Sequence, residues 1–194
     1  MPQAAAPAVV AAPPAPPPPA PRCESLQENC VAVAGTRVAV GPKRTTFAVP
    51  TGWKYAASAE RATAVHPEGV GLLVVSYAAS VDDAAVGSAI EREALGSAIQ
   101  DFSWADLKRR WKKADAELPF GAGKVDLWEV DAKRQRGRAP KLRDVGPGTL
   151  LVGVARRATD EPIVALGFVL DSGKESDAPK LVMDALGSLE GAPP

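Results

Sequence analysis

Metal-binding and nucleophilic side chains are scarce in this sequence. It has one histidine, His66, and two cysteines, Cys23 and Cys30, in 194 residues. Such a set makes no four-ligand zinc site of the usual kind unless carboxylates join it. Ser76 and Asp82 are available to a hydrolase triad with His66, but no Gly-x-Ser-x-Gly presents a nucleophile. Charge of one sign is missing too. The 23 basic residues balance 23 acidic ones, which removes the global basic field of a nucleic-acid binder. No apolar run reaches the roughly 18 residues that would span a bilayer. Phosphate loops are absent: Gly121-Ala122-Gly123-Lys124 ends like one, but Leu118 and Val125 stand where glycine and a hydroxyl residue are needed. No Gly-x-Gly-x-x-Gly follows a strand, and no Asp-x-Asp-x-Asp loop offers oxygen ligands to calcium. No cofactor, metal or catalytic residue is expected.

What the chain does have begins with a biased tail. Residues 1–22 hold nine prolines and eight alanines. Such a stretch buries too little apolar surface to offset its ordering entropy, and it is expected to be a disordered, semi-rigid spacer. Residues 23–35 follow as a linker. Cys23 and Cys30 have six residues between them and no competing cysteine, so the linker is expected to carry a disulfide, the signature of an oxidising compartment. Met1 leads into Pro and Ala without a basic segment or a leucine-rich one, and Ala20-Pro21-Arg22-Cys23 is a poor lipoprotein cleavage site. With the tail and the cysteine pair, this points to a trimmed or misplaced start. Free thiols in a cytosolic protein are the alternative.

Residues 36–190 are expected to form a single domain. Residues 36–40 alternate polar and apolar and predict a strand, and 47–49 a second, closed by Pro50-Thr51-Gly52-Trp53. Residues 61–66 and 71–79 predict a hairpin around Pro67-Glu68-Gly69. Its second arm is apolar on both faces, as in a central strand. Asp82 or Asp83 caps a helix running to about Ile99, which Gly87 and Gly96 weaken. Ser103 and Asp106 open a second helix to Leu118 with a capping box. Its stripe of Trp104, Leu107, Trp111, Ala114 and Leu118 is spaced for one face. Residues 125–131 predict a strand, 132–147 a long basic loop, and 149–157 with 162–170 a long hairpin. A last helix opens at Asp177 with Pro179 in its first turn, burying Leu181, Val182, Ala185, Leu186 and Leu189. Strands, helices, strands, then a helix predict an α+β fold: an antiparallel sheet of about six strands with helices packed on it.

An early strand entering a Pro-x-Gly-Trp turn, here Phe47 to Trp53, then a hairpin, a helical middle and a final hairpin with a C-terminal helix, resembles the Mog1/PsbP families. The likeness covers residues 36–190, and the basic loop with the paired middle helices is where the chain departs from it. It implies an α/β/α sandwich with non-enzymatic binding or accessory work. It carries over no site residues, because the turn is structural.

Charged and aromatic clusters remain. Asp126 should point away from Glu129 and Asp131, which share a strand face; a glycosidase-like pair would need two such carboxylates. Of the four tryptophans, Trp53, Trp104, Trp111 and Trp128, the two on the helix stripe, Trp104 and Trp111, are expected to pack that helix on the sheet; a ligand-lining role is the alternative. His66, at a hairpin turn, is expected on the surface. Two basic clusters offer electrostatic contacts: Lys108, Arg109, Arg110, Lys112 and Lys113 on the second helix, and Lys133, Arg134, Arg136, Arg138, Lys141 and Arg143 in the loop, with no acid between the latter. An acidic protein or an anionic envelope component fits them. Sequence-specific nucleic-acid binding does not, since no aromatic residue interleaves with the loop charges. The sequence therefore predicts a non-enzymatic binding or accessory protein of the bacterial cell envelope or periplasm. A cytosolic adaptor or chaperone, and a hydrolase, are the alternatives.

Overall fold

Alternation of apolar residues sets the sheet, and the turns between the strands set its order. The computed structural model describes residues 23–100, 102–110, 118–120, 123–134, 146–156 and 162–190. The sequence expectations for residues 1–22, for 111–117 and for 135–145 lie outside them. Along the chain come β1 (Arg37–Val40), β2 (Thr45–Ala48), β3 (Lys54–Ala57), β4 (Arg61–Val65), β5 (Gly71–Tyr77), α1 (Asp83–Gly96), β6 (Ile99–Gln100) and α2 (Trp104–Arg110). They are followed by β7 (Leu118–Phe120), β8 (Gly123–Arg134), β9 (Gly146–Arg156), β10 (Ile163–Leu170) and α3 (Ala178–Gly187).

The fold is α+β, with one antiparallel sheet. Seven strands run in the order β3-β4-β5-β10-β9-β8-β6, and the short β7 pairs with the start of β8. That is more than the six or so expected from sequence. The added strands are β3, β6 and β7, four, two and three residues long, too short for alternation to register. β1 and β2 form a separate ribbon instead of joining the sheet. Two further boundaries differ. The loop expected over 132–147 is shorter, because β8 and β9 continue their ladder to the pair Arg134↔Gly146. Leu118, expected to end the second helix, belongs to β7, and Pro119 sits opposite Lys124 instead of stopping a helix.

Both sheet faces are covered. On one, α3 and the β1–β2 ribbon bury Val182, Ala185, Leu186, Val40 and Phe47 against Leu73, Val75, Leu127, Ala165 and Val169. On the other, α1 and α2 bury Val86, Ile90, Ala94, Trp104 and Leu107 against Leu72, Val74, Val152, Leu166 and Phe168. This two-faced burial explains why β10 is buried at every position. α1 is unbroken through Gly87, because the Trp104 ring occupies the place of a side chain: a Cβ at Gly87 would lie 2.4 Å from Trp104 Cδ1. Glu93, on the buried stripe of α1, is held by Arg61 Nε at 2.9 Å and by Arg92 at 3.1 Å, the pairing a buried carboxylate needs. The Pro50–Trp53 turn is present: Trp53 N–H donates to Pro50 O at 3.1 Å, with Gly52 at φ +84°, a conformation that favours glycine.

Residues 23–35, expected as a linker, lie along the free edge of β3. Tyr55 N–H donates to Cys30 O at 3.0 Å, Ala57 N–H to Cys23 O at 2.6 Å, and Ala32 N–H to Trp53 O at 2.9 Å. Val31 bridges Lys54 antiparallel. Cys23 and Ala32 are buried, and the Cys23–Cys30 disulfide expected from the sequence is formed.

Candidate functional site

The end of the sheet where β6, β8 and β9 meet carries an open cleft of about 560 Å³. Register brings its floor together: Gln100 faces Lys133 across β6–β8, and Lys133 faces Pro147 across β8–β9. Ala132 lies opposite Gly148. The far wall is Asp171 and Lys174, from the 3-10 turn that follows β10. The cleft stays open because β9 begins with Gly146-Pro147-Gly148, which offers little side chain to fill it. Gly148 admits no other residue, since a Cβ there would meet Val169 O at 2.3 Å and Phe168 Cζ at 2.8 Å.

Two acids and then a cation stand in one row on this face. Glu129, Asp131 and Lys133 project to the same side at successive odd positions of β8, all exposed. Asp126 points to the other face and pairs with Arg156 at 3.2 Å, as the strand period predicts. Lys174 donates to Asp171 at 2.8 Å. That bond, reinforced by the nearby charges of Asp131 and Glu129, holds its ammonium above the usual lysine range. The Lys133 side chain has no hydrogen bond or ion pair among the described residues, and it lines the cleft.

The expected helix cluster is less cationic than its sequence. Lys108 Nζ binds Asp83 at 2.8 Å and lies 5.8 Å from the Trp104 ring centre. Arg109 binds Asp106 at 2.8 Å. Arg110 ends α2, and Lys112 and Lys113 lie outside the described residues. Of the loop cluster, Lys133 lines the cleft and Arg134 ends β8, whereas Arg136, Arg138, Lys141 and Arg143 lie outside the described residues. Both chain ends of that segment are nevertheless fixed beside the cleft by the Arg134↔Gly146 pair. Gln100, Asp171 and Lys174 carried no sequence signal as site residues. Asp131 did, through sharing a strand face with Glu129, and Lys133 did as a member of the basic cluster expected in the loop.

His66 is buried, not on the surface. Its Nδ1 accepts from Glu68 N–H at 3.2 Å, its Nε2 lies 3.5 Å from Asp177 Oδ1, and its ring stands edge-on to Trp53 at 5.4 Å. Asp177 therefore serves His66 instead of capping α3, where Ser176 Oγ takes the Ala178 N–H at 3.2 Å. The Ser76, His66 and Asp82 set is not assembled. Ser76 lies opposite Arg61 and Val164 on the α1 side of the sheet, Asp82 caps α1, and His66 packs on the α3 side. Trp104 meets the sheet as expected, edge-on to Trp128 at 5.2 Å. No protein-family model matches the chain, and no curated protein does.

Proposed function

We propose that this chain is a non-enzymatic binding or accessory domain of the bacterial cell envelope, of Mog1/PsbP-like architecture, whose cation-bearing sheet end engages an anionic envelope component. The observation that carries the reading is the placement of Lys133. It faces the cleft without an acidic partner among the described residues, at the point where the stretch Arg134, Arg136, Arg138, Lys141 and Arg143 leaves the sheet. Of the helix cations that could compete for the same role, Lys108 and Arg109 are already bound to Asp83 and Asp106. The disulfide supports an oxidising compartment. The covering of both sheet faces and the Pro50–Trp53 turn support the fold family. Among the described residues no helix is long and apolar enough to cross a membrane.

Cosedimentation tests the reading. Full-length protein should pellet with vesicles rich in phosphatidylglycerol or with purified cell-wall fragments at low salt. The bound fraction should fall as ionic strength rises, because exposed charges are screened within about 10 Å at 0.1 M salt. Protein that stays in the supernatant with both materials at low salt overturns it.

A further inference from the structure

We propose that the Cys23–Cys30 disulfide is a reducible clasp on the edge of the sheet, whose opening frees residues 23–29 while Cys30 to Ala32 stay docked. This inference is independent of the anionic-partner reading.

The two half-cystines occupy successive acceptor positions along β3. Cys30 O takes the Tyr55 N–H and Cys23 O takes the Ala57 N–H. A continuous antiparallel strand would place residue 28 opposite Ala57, since Ala32 pairs with Trp53 and Cys30 with Tyr55. The chain instead leaves the edge at Asn29, and Cys23 fills the vacant position. The Cα atoms of the two cysteines are 6.3 Å apart, close to the advance of two strand residues. The disulfide thus makes one edge strand out of two pieces.

The pieces are held unequally. Cys30, Val31 and Ala32 make main-chain bonds to Tyr55, Trp53 and Gly52 or a bridge to Lys54. Residues 24–29 bond mostly to themselves: Glu28 Oε1 accepts from the N–H of Glu24 and Ser25, and Asn29 N–H reaches Leu26 O. Without the disulfide, what holds 23–29 to the domain is the Cys23–Ala57 bond, the exposed bond from Lys54 Nζ to Asn29 Oδ1 at 3.0 Å, the buried Cys23 side chain and the half-buried Leu26. These are set against the entropy of ordering seven residues. Asn29, at φ 56°, marks the hinge.

Access orders the chemistry. Cys23 is 3% exposed and Cys30 is half-buried, so an external dithiol meets Cys30 first. Its thiolate attacks Cys30 Sγ, forming a mixed disulfide and releasing Cys23 as thiolate. The second thiol of the reductant resolves that bond. Cys23 and Cys30 become thiols and the reductant becomes a disulfide, two electrons and two protons having passed to the protein. Release lengthens the chain that precedes the hinge by seven residues, about 23 Å when extended.

Amide hydrogen exchange of the full-length chain, before and after reduction with dithiothreitol, tests this, with a Cys23→Ser/Cys30→Ser variant as the permanently open form. Ala57 exchange should accelerate by at least about tenfold, while Tyr55 and Ala32 stay within about twofold. Unchanged protection at Ala57 overturns the proposal, because Cys23 then stays docked unaided. Joint loss at Ala57, Tyr55 and Ala32 overturns the hinge. Global unfolding, in the reduced wild type as in the variant, overturns the clasp by making the disulfide a condition of folding.

Discussion

At the scale of single residues, two positions decide between opposing effects. Gly87 sits inside α1, where exchanging glycine for alanine ordinarily gains about 1 kcal/mol of helix propensity. Here the new methyl would meet the Trp104 ring at 2.4 Å, and that ring is itself wedged against Trp128. Overpacking of this kind costs about 1–3 kcal/mol. Gly87→Ala should therefore lower the urea midpoint, and the loss should shrink in a Gly87→Ala/Trp104→Leu double variant. A stabilised Gly87→Ala protein would mean that α2 does not pack there. His66 separates burial from charge. His66→Ala leaves the Glu68 N–H without its acceptor and opens space beside Trp53, for an expected loss of about 1–3 kcal/mol. Its partner Asp177 has a side chain 70% exposed, and Asp177→Ala should cost less than about 1 kcal/mol. Equal losses in thermal unfolding would show the contact with Asp177, not the packing, to be the stabilising element.

At the scale of elements, the start of α1 gives the fold an acid limit. The Ser80 hydroxyl and the Ala85 N–H hold the Asp82 carboxyl below its ordinary 3.8. The Lys108 ammonium does the same for Asp83. Because both groups bind protons less readily folded than unfolded, their stabilisation is present above about pH 4 and is lost as pH falls through the depressed folded values. The urea midpoint should drop as pH falls below about 4, and Lys108→Met should flatten that drop; an identical drop in the variant would remove the α1–α2 ion pair from the account. The same elements show what a sequence exposes. Long apolar runs such as β9 and β10, and the spaced apolar stripe of α3, are legible because one pattern spans many residues. β3, β6 and β7 are not, since two to four residues hold no period. Lys54-Tyr55-Ala56-Ala57 becomes a strand through pairing with residues 61–65 and docking of the cysteine segment, which are distant or irregular partners. Gly87 read locally as a helix weakness, because the ring that fills its place comes from another element.

At the scale of the molecule, the cleft is a product of topology. Lys133 and Pro147 are neighbours because β8 and β9 pair to their far ends, while Asp171 and Lys174 arrive from a turn beyond β10. A linear reading sees a basic stretch and stops there. The folded chain distinguishes Lys108 and Arg109, which already have acids, from Lys133, which lines the cleft next to Arg134. The account's central claim is that this sheet end, and not α2, is where an anionic partner is held. One comparison tests it most directly: binding to phosphatidylglycerol-rich vesicles and to cell-wall fragments at low salt, for Lys133→Glu and for Lys108→Glu. A basic side chain near an anionic surface contributes about 1 kcal/mol, so Lys133→Glu should weaken binding by roughly fivefold or more. Lys108→Glu, already neutralised by Asp83, should change it by less than about twofold. Equal weakening by both variants, or a loss confined to Lys108→Glu, would contradict the account.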